Sequence, residues 1–216
     1  YYWLSVFPIE LPALRERVAS RTLSPEAATA LYIDLVAGLL AVVFEAADSA
    51  PEPGISRLLV ALFNFMQGKE FAGQERATGV AAFGAGVSDA LRQQHWLHLI
   101  ASQERCFQVF AEFAPPHSLA LWQESSAADA TLAVIERLRR VGCTATAGAP
   151  LSMEMAEPWF DSCSQRMDAL QTVEARLTAE LQQQCQHRIA DARAALQTLL
   201  QAPQALATTP LSLIHI

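Results

Sequence analysis

Apolar residues recur every three to four positions along almost the whole chain, a spacing that is typical of amphipathic α-helices. The prolines fall where helices would begin or end. Pro12, Pro25 and Pro158 each suit a first helical position, and Ser24 before Pro25 is a good N-cap. The pattern therefore predicts an all-α protein. The predicted helices are 11–21, 25–47, 55–67, 68–86, 88–113, 127–141 and 158–201.

The last predicted helix is the longest, and about 44 residues at a rise of 1.5 Å per residue would extend about 66 Å. Its apolar positions average close to 3.6 residues per turn, which favours packing against the parent bundle over a strict heptad zipper. A homodimer formed through this helix is a further expectation. The stripe consists of Leu170, Val173, Leu177, Leu181, Cys185, Ile189, Ala192, Leu196 and Leu199.

The composition argues against several functional classes. With 216 residues and 52% hydrophobic content the chain can bury a substantial core, and its net charge of −7 gives no support to a broad basic face for nucleic acid. Four cysteines without a CxxC pair favour packed thiols over a zinc or redox site. The most apolar run, Leu35–Phe44, is well short of the roughly 20 residues that span a bilayer, so no membrane segment is predicted.

Both ends of the chain indicate a fragment of a longer gene. The chain starts at Tyr1 without a methionine. Its last six residues, LSLIHI, read back as CTGTCTCTTATACACATC, which resembles a transposase adapter used in sequencing libraries. We therefore interpret 1–10 as a lead-in, 202–210 as a linker to a missing output domain and 211–216 as an adapter scar.

Three arginines occupy positions on apolar stripes where leucine would be expected. Desolvating a guanidinium without a partner costs several kcal/mol, so inward arginines require carboxylates, carbonyls or a bound anion. The first stripe is Leu11, Leu14, Val18 and Arg21; the second is Trp159, Cys163, Arg166 and Leu170; the third is Arg76, Val80, Phe83 and Val87, with Lys69 on the same side.

Two interpretations of these arginines remain open at this point. Two planar guanidinium forks from different helices could clamp one small oxyanion, and the small residues between Gly68 and Gly86 would let helices approach closely around a compact ligand. Alternatively the chain is a helical dimerisation module in which Arg76 and Arg166 form structural salt bridges. The carboxylates considered for such bridges are Asp34, Glu70, Glu75 and Asp161.

Four segments resemble the nitrate- and nitrite-sensing (NIT) domain of bacterial signalling proteins. They are LRERVASR near the start, LYIDLVAGLL on the second helix, KEFAGQERA before a helix of small residues, and PWFDSCSQRMDALQTVEARLTAEL near the end. The resemblance implies an all-α fold of two packed antiparallel helical bundles with a long C-terminal helix. It also implies that arginines from separate helices bind nitrate or nitrite.

The resemblance assigns the ligand to particular residues of this chain. Arg166 is expected to act with an arginine of the first segment, Arg15, Arg17 or Arg21, whereas Arg76 and Lys69 are second candidates. The sensor domain would cover 11–201, with a possible hinge near 144–152.

The output of such a sensor depends on the protein to which it is attached. The length and the long final helix most resemble the cytoplasmic transcription antitermination regulators, in which RNA is bound by an ANTAR domain that is missing here. The alternative is the periplasmic sensor of a membrane receptor.

Other functions have little support in the sequence. His95 and His98 lie three apart on a predicted helix, but no third ligand at usable spacing indicates a metal site. There is no GxSxG, HExxH or P-loop motif, so the chain is predicted not to be an enzyme and to need no cofactor. The aromatic residues are predicted to form the core, and 136–140 is predicted to be solvated helix surface.

Overall fold

The computed structural model of the chain describes the backbone of residues 2–128 and 130–207, and the side chains of 10–126 and 130–201. The predicted all-α class and the long C-terminal helix are confirmed. The adapter-like tail, 211–216, lies outside the described residues. Within them the helices are α1 (Tyr2–Ala19), α2 (Pro25–Ser49), α3 (Pro53–Gly84), α4 (Ala90–Phe113), α5 (Pro116–Ala128), α6 (Thr131–Thr144), a short 3-10 helix (Met153–Met155) and α7 (Ala156–Ala207).

The predicted start of α2 is confirmed in atomic detail. Pro25 is the first helical residue, and the Ser24 side chain accepts a hydrogen bond from the amide of Ala27 at 3.2 Å. This bond satisfies one of the amides that has no partner within the helix. The side chain of Asp89 caps α4 in the same way, accepting from the amide of Arg92 at 2.8 Å.

Several helix boundaries differ from the sequence prediction, and Pro158 is not a first helical residue because α7 begins at Ala156. α1 begins at Tyr2 and therefore contains Pro12 in its interior, and α5, which begins at Pro116, was not predicted. The predicted helices 55–67 and 68–86 are one helix, α3. Gly68 does not interrupt α3, because its missing side chain serves packing: a Cβ there would lie 3.0 Å from the ring of Phe107.

The aromatic core predicted from the sequence is confirmed around two clusters of rings. Trp96 and Trp159 are fully buried, and their ring centroids lie 4.9 Å apart. Phe65 and Phe110, 4.8 Å apart, form the centre of the second cluster. Phe44 and Phe160 are exceptions to the prediction, being 59% and 48% exposed.

The close helix approach predicted from small residues is confirmed at Gly79. A Cβ on Gly79 would lie 2.2 Å from Nε1 of Trp159, which is shorter than any tolerable contact. Gly142 of α6 plays the same role, since a Cβ there would lie 2.4 Å from the ring of Trp96. Both buried indoles therefore lie directly on the backbone of a neighbouring helix.

Backbone hydrogen bonds join the loop after α6 to the loop after α3. The amide of Ser88 donates to the carbonyl of Ala149 at 2.9 Å, and the amide of Leu151 donates to the carbonyl of Gly86 at 2.9 Å. This pairing brings the predicted hinge, 144–152, against residues 86–88. The hinge itself remains a prediction.

The chain divides into two compact units, Tyr1–Thr178 and Ala179–Ile216, and α7 contributes to both. In the first unit the predicted apolar stripe of α7 is buried as far as Leu177. In the second unit Ile189, Leu196 and Leu199 on the same stripe are 51%, 57% and 70% exposed. Ala192 of the stripe is exposed as well, so the prediction that this stripe packs against the bundle is confirmed for the first unit and wrong for these four residues.

One described helix, α2, is long and apolar enough to span a bilayer by length and composition, with a mean hydropathy of 2.1 in its most apolar window. The sequence prediction considered only the ten-residue run inside it. Core helices of soluble proteins and signal sequences meet the same criterion, so it does not place α2 in a membrane.

Candidate anion-binding site

The segment KEFAGQERA lies within α3, and two adjacent residues of it point in different directions. Successive residues of an α-helix are rotated by about 100°, so neighbours in sequence do not share a face. Glu75 is 1% exposed, whereas the next residue, Arg76, is partly exposed. α3 therefore presents an acidic group to the core and a basic group to a groove.

Glu75 accepts four hydrogen bonds from three other side chains. Its Oε1 accepts from Nε1 of Trp96 at 2.9 Å and from Nε of Arg139 at 2.7 Å. Its Oε2 accepts from Nε2 of Gln103 at 2.6 Å and from Nη2 of Arg139 at 2.6 Å. Arg139 is thus bound in bidentate fashion, and the carboxylate joins α3 to α4 and α6.

The hydrogen bonds keep Glu75 ionised despite its burial. Burial by itself raises the pKa of a carboxyl group, but the Arg139 guanidinium, with Trp96 and Gln103, holds the pKa of Glu75 below its ordinary value of 4.5. Burial likewise acts to lower the pKa of Arg139, and its bonds to Glu75 and Glu136 raise it instead. Both members of the pair are therefore charged at neutral pH.

The position of Arg139 corrects the sequence prediction that residues 136–140 form solvated helix surface. Its side chain is 11% exposed, and besides Glu75 it contacts Oε1 of Glu136 at 2.6 Å. Glu75 was also considered as a partner of Arg76, which is wrong, because its oxygens face α4 and α6.

Arg76 is oriented by α7. Its Nη1 donates to Oγ of Ser164 at 3.0 Å, and its guanidinium carbon lies 5.1 Å from the centre of the Phe160 ring. Its backbone carbonyl accepts from Nε1 of Trp159 at 2.9 Å. Among the described side chains, the partners of the Arg76 guanidinium are therefore a hydroxyl and an aromatic ring and not a carboxylate.

Arg76 lines a groove of the first unit that has a volume of about 710 Å³. The groove lies between the first turns of α2, the middle of α3, the start of α4 and Phe160 of α7. It also contains Arg92 and His95, and Glu26 is the one acidic residue among its lining side chains. Among the described side chains, no carboxylate oxygen lies within 4.0 Å of a guanidinium nitrogen of Arg76 or Arg92.

Arg166 lines a different and much smaller cavity of 80 Å³. Its walls come from α4, α5, α6 and α7, and include Phe107, Trp122 and Leu170. Arg166 is partly buried, as its place on an apolar stripe predicts. Arg76 and Arg166 thus lie at separate cavities, although both stripes predicted an inward arginine.

The arginines of the first segment are all exposed. Arg15 and Arg17 lie on α1, where Arg17 borders a third cavity of 230 Å³ with residues of α1 and α2. The stripe that predicted Arg21 is wrong at its end, because α1 stops at Ala19 and Arg21 has a left-handed φ of 55°. No described cavity is lined by Arg166 together with one of these arginines.

Lys69 is engaged with α7. Its Nζ lies 2.9 Å from Oε2 of Glu174 and also contacts the Gln171 side chain, and the lysine side chain is 17% exposed. Lys69 therefore anchors α3 to α7 one or two turns away from Arg76.

The histidine pair does not gather further ligands in the described part of the chain. His95 and His98 are both exposed, and Nε2 of His98 lies 3.5 Å from Oγ of Ser102. Among the described residues there is no group of three histidine, cysteine, aspartate or glutamate side chains that could hold a metal ion.

Comparison with known proteins identifies the family. The model of the family described as nitrate and nitrite sensing, NIT, matches residues 4–182. The chain belongs to the NIT family. The resemblance seen in the four sequence segments is thereby confirmed, and the NIT match covers every residue that lines the groove and the Arg166 cavity.

Two relatives of this NIT domain carry the names of regulators. The nitrate regulatory protein of Klebsiella oxytoca is 42% identical over 173 residues, which is 80% of this chain and 42% of that protein. A solved structure of the NasR transcription antiterminator matches with a TM-score of 0.74 and 35% identity, covering 93% of this chain and 52% of that one. The chain thus spans about half the length of the relatives it matches.

Two basic residues of the NIT domain were missed by the sequence analysis, although each had a periodic signal. Arg92 precedes Trp96 by four residues and so continues the buried stripe of α4. Arg139 follows the buried Ile135 by four residues on α6. In both cases a charged residue extends an apolar stripe, which is the criterion that selected Arg76 and Arg166.

Proposed function

We propose that this NIT domain binds nitrate or nitrite and is the sensory part of a longer bacterial regulator. The observation that carries the proposal is the family match over residues 4–182. The names of the two relatives, a nitrate regulatory protein and a transcription antiterminator, support the same conclusion. The relatives are named as regulators, which agrees with the prediction that the chain is not an enzyme.

We propose Arg166 as the first ligand-binding residue, acting with Arg15, Arg17 or Arg21. The 80 Å³ cavity beside Arg166 suits a four-atom anion and is too small for most organic ligands. The guanidinium fork matches the planar oxygens of nitrate. Arg76 and Lys69 remain second candidates, and Lys69 is the weaker of them because Glu174 already neutralises its charge.

The backbone at Arg21 favours this residue among the three of the first segment. The amide of Thr22 donates to the carbonyl of Arg17 at 3.0 Å, and the amide of Arg21 donates to the carbonyl of Val18 at 3.0 Å. These two bonds form a C-cap of α1 in which Arg21 occupies the left-handed position that is usually glycine. A non-glycine residue in this strained conformation motivates a functional hypothesis for its side chain. Arg21→Gly is expected to stabilise the fold by about 1 kcal/mol while abolishing the nitrate response.

Nitrate binding is tested by calorimetric titration and thermal unfolding with nitrate, nitrite and chloride. Saturation at 100 times the dissociation constant stabilises a protein by about 2.7 kcal/mol. Arg166→Gln is expected to remove this stabilisation, and Arg105→Gln, at an exposed position on α4, is the matched control. An equal response to chloride, or no response to nitrate, would refute the proposal.

We propose that the output is transcription antitermination through an RNA-binding ANTAR domain outside this chain, in the cytoplasm. The similarity to the NasR antiterminator supports this output. Full-length coding sequence tests it: a three-helix RNA-binding segment after α7 is expected, whereas an apolar membrane segment on either side would favour the periplasmic receptor.

We propose a homodimer formed through the second unit. The exposed stripe Ile189, Leu196 and Leu199 supports it, because apolar side chains at helical spacing are stabilised by a partner surface. Sedimentation equilibrium tests the proposal with Leu196→Glu, which is expected to give a monomer, and with Gln186→Glu on the same part of α7 as the control. A wild-type monomer at all concentrations would refute it.

A further inference from the structure

The 710 Å³ groove is too large for nitrate alone. We propose that it is a second anion site, which binds a small organic carboxylate with an apolar body. The inference rests on the groove itself and requires that nitrate bind elsewhere, as proposed above for the Arg166 cavity. Its evidence is the charge of the lining, the apolar walls and the size.

Two arginines, Arg76 and Arg92, and one acidic residue, Glu26, line the groove, so its basic side chains outnumber its acidic ones. Arg76 and Arg92 come from different helices, and within the described side chains neither guanidinium has a carboxylate within 4.0 Å. This situation contrasts with Arg139, whose charge is matched by Glu75. An unmatched pair of guanidinium groups at the edge of an apolar groove favours an anionic ligand, and the planar fork favours carboxylate.

The walls of the groove determine the rest of the ligand. Ile33 of α2, Val80 of α3 and Phe160 of α7 line it, together with several alanines. Pockets that bind small organic molecules have volumes of about 300–1,000 Å³ and mostly apolar walls with a few polar groups. The groove meets both conditions, which points to a hydrocarbon part attached to the carboxylate.

Arg76 would connect an occupant of the groove to α7. Its guanidinium contacts Ser164 and Phe160, both on the helix that continues into the second unit. A carboxylate in the groove would be a second acceptor for this guanidinium, and its charge-assisted hydrogen bond would be stronger than the neutral one to Ser164. The site is thus placed to alter the contacts of α7.

The experiment uses 8-anilinonaphthalene-1-sulfonate as a fluorescent anionic probe and benzoate as its competitor, in chloride buffer. Arg92→Gln is expected to weaken binding of the probe about tenfold, because a charged hydrogen-bond donor is lost. Arg105→Gln is the matched control and is expected to bind as the wild type does. Arg92 is the preferred variant because replacing Arg76 would also remove its contacts with Ser164 and Phe160 of α7.

A neutral competitor and a second variant complete the experiment. Benzamide, the neutral analogue, is expected to displace the probe far less well than benzoate. Ala77→Phe, which narrows the groove without changing its charge, is expected to weaken benzoate binding. Equal affinity in Arg92→Gln and Arg105→Gln, or equal displacement by benzamide, would overturn the proposal. Displacement by nitrate at the concentration that stabilises the protein would overturn it as well, because the groove would then be the nitrate site.

Discussion

Glu75 and Arg76 are neighbours in the chain but have opposite environments. Glu75 is buried and accepts four hydrogen bonds, two of them from one guanidinium. Arg76 faces a groove and has one hydroxyl and one ring as partners. The buried charge is neutralised within the protein and holds three helices together, whereas the second charge remains available to a ligand. A single motif thus contributes both to stability and to a candidate site.

The largest expected loss of folding stability follows from removing Arg139, the charged partner of Glu75. Arg139→Gln leaves a buried carboxylate without its counter-charge, and such changes cost about 3–5 kcal/mol. The free energy of unfolding, measured by urea denaturation, should fall by this amount. If the loss is below about 1 kcal/mol, the pair behaves as a surface ion pair and the contrast with Arg76 disappears.

The next largest loss of stability is expected at Gly79, where α3 packs closely against Trp159. Gly79→Ala places a Cβ against the buried indole of Trp159, and overpacking of this kind costs about 1–3 kcal/mol. Gly84→Ala is the matched control on α3, because a Cβ there meets no atom within 4 Å. Urea denaturation of both variants is the measurement, and equal midpoints would contradict the observed packing.

The pH dependence of the free energy of unfolding tests whether the pKa of Glu75 is lowered in the folded state. Its pKa is lowered in the folded state, so the unfolded state takes up the proton first and stability is lost as the pH falls from about 5 through the folded pKa. Between about pH 5 and pH 3 the wild type should lose more stability than Glu75→Gln. Parallel losses in the two proteins would show that Glu75 is not the group responsible.

The smallest expected loss of folding stability is that of replacing Arg76. Arg76→Gln removes a hydrogen bond to a neutral hydroxyl and a contact with the exposed Phe160 ring, which together contribute about 1 kcal/mol. The fold should therefore tolerate this change far better than Arg139→Gln in the same denaturation assay. A loss of 3 kcal/mol or more would assign Arg76 a structural role similar to that of Arg139.

Much of the fold could be predicted because helical periodicity, proline positions and capping residues are local signals. They predicted α2, α4 and most of α7. They gave wrong helix boundaries where a glycine or a proline is present for a reason other than ending or starting a helix. Gly68 suggested a break in α3, but its side chain is absent because Phe107 needs the space. Pro12 suggested a start, but α1 already begins at Tyr2.

For the candidate site, the sequence predicted which arginines are partly buried but not how they are grouped. The stripes indicated Arg76 and Arg166 correctly as partly buried, because a charge at an apolar position must be accommodated by the fold. They could not indicate that these two arginines lie at separate cavities, since periodicity gives the face of a helix and not the helix that packs against it.

The sequence by itself determined the helical class, the family and the presence of charges on apolar faces, because each depends on residues close together in the chain. The tertiary structure decided which charge meets which partner. Glu75 and Arg139 are 64 positions apart and Arg76 and Ser164 are 88 positions apart, so no local pattern couples them. Their pairing depends on how α3 packs against α6 and α7, and that packing leaves one guanidinium bound to a carboxylate and another facing an open groove.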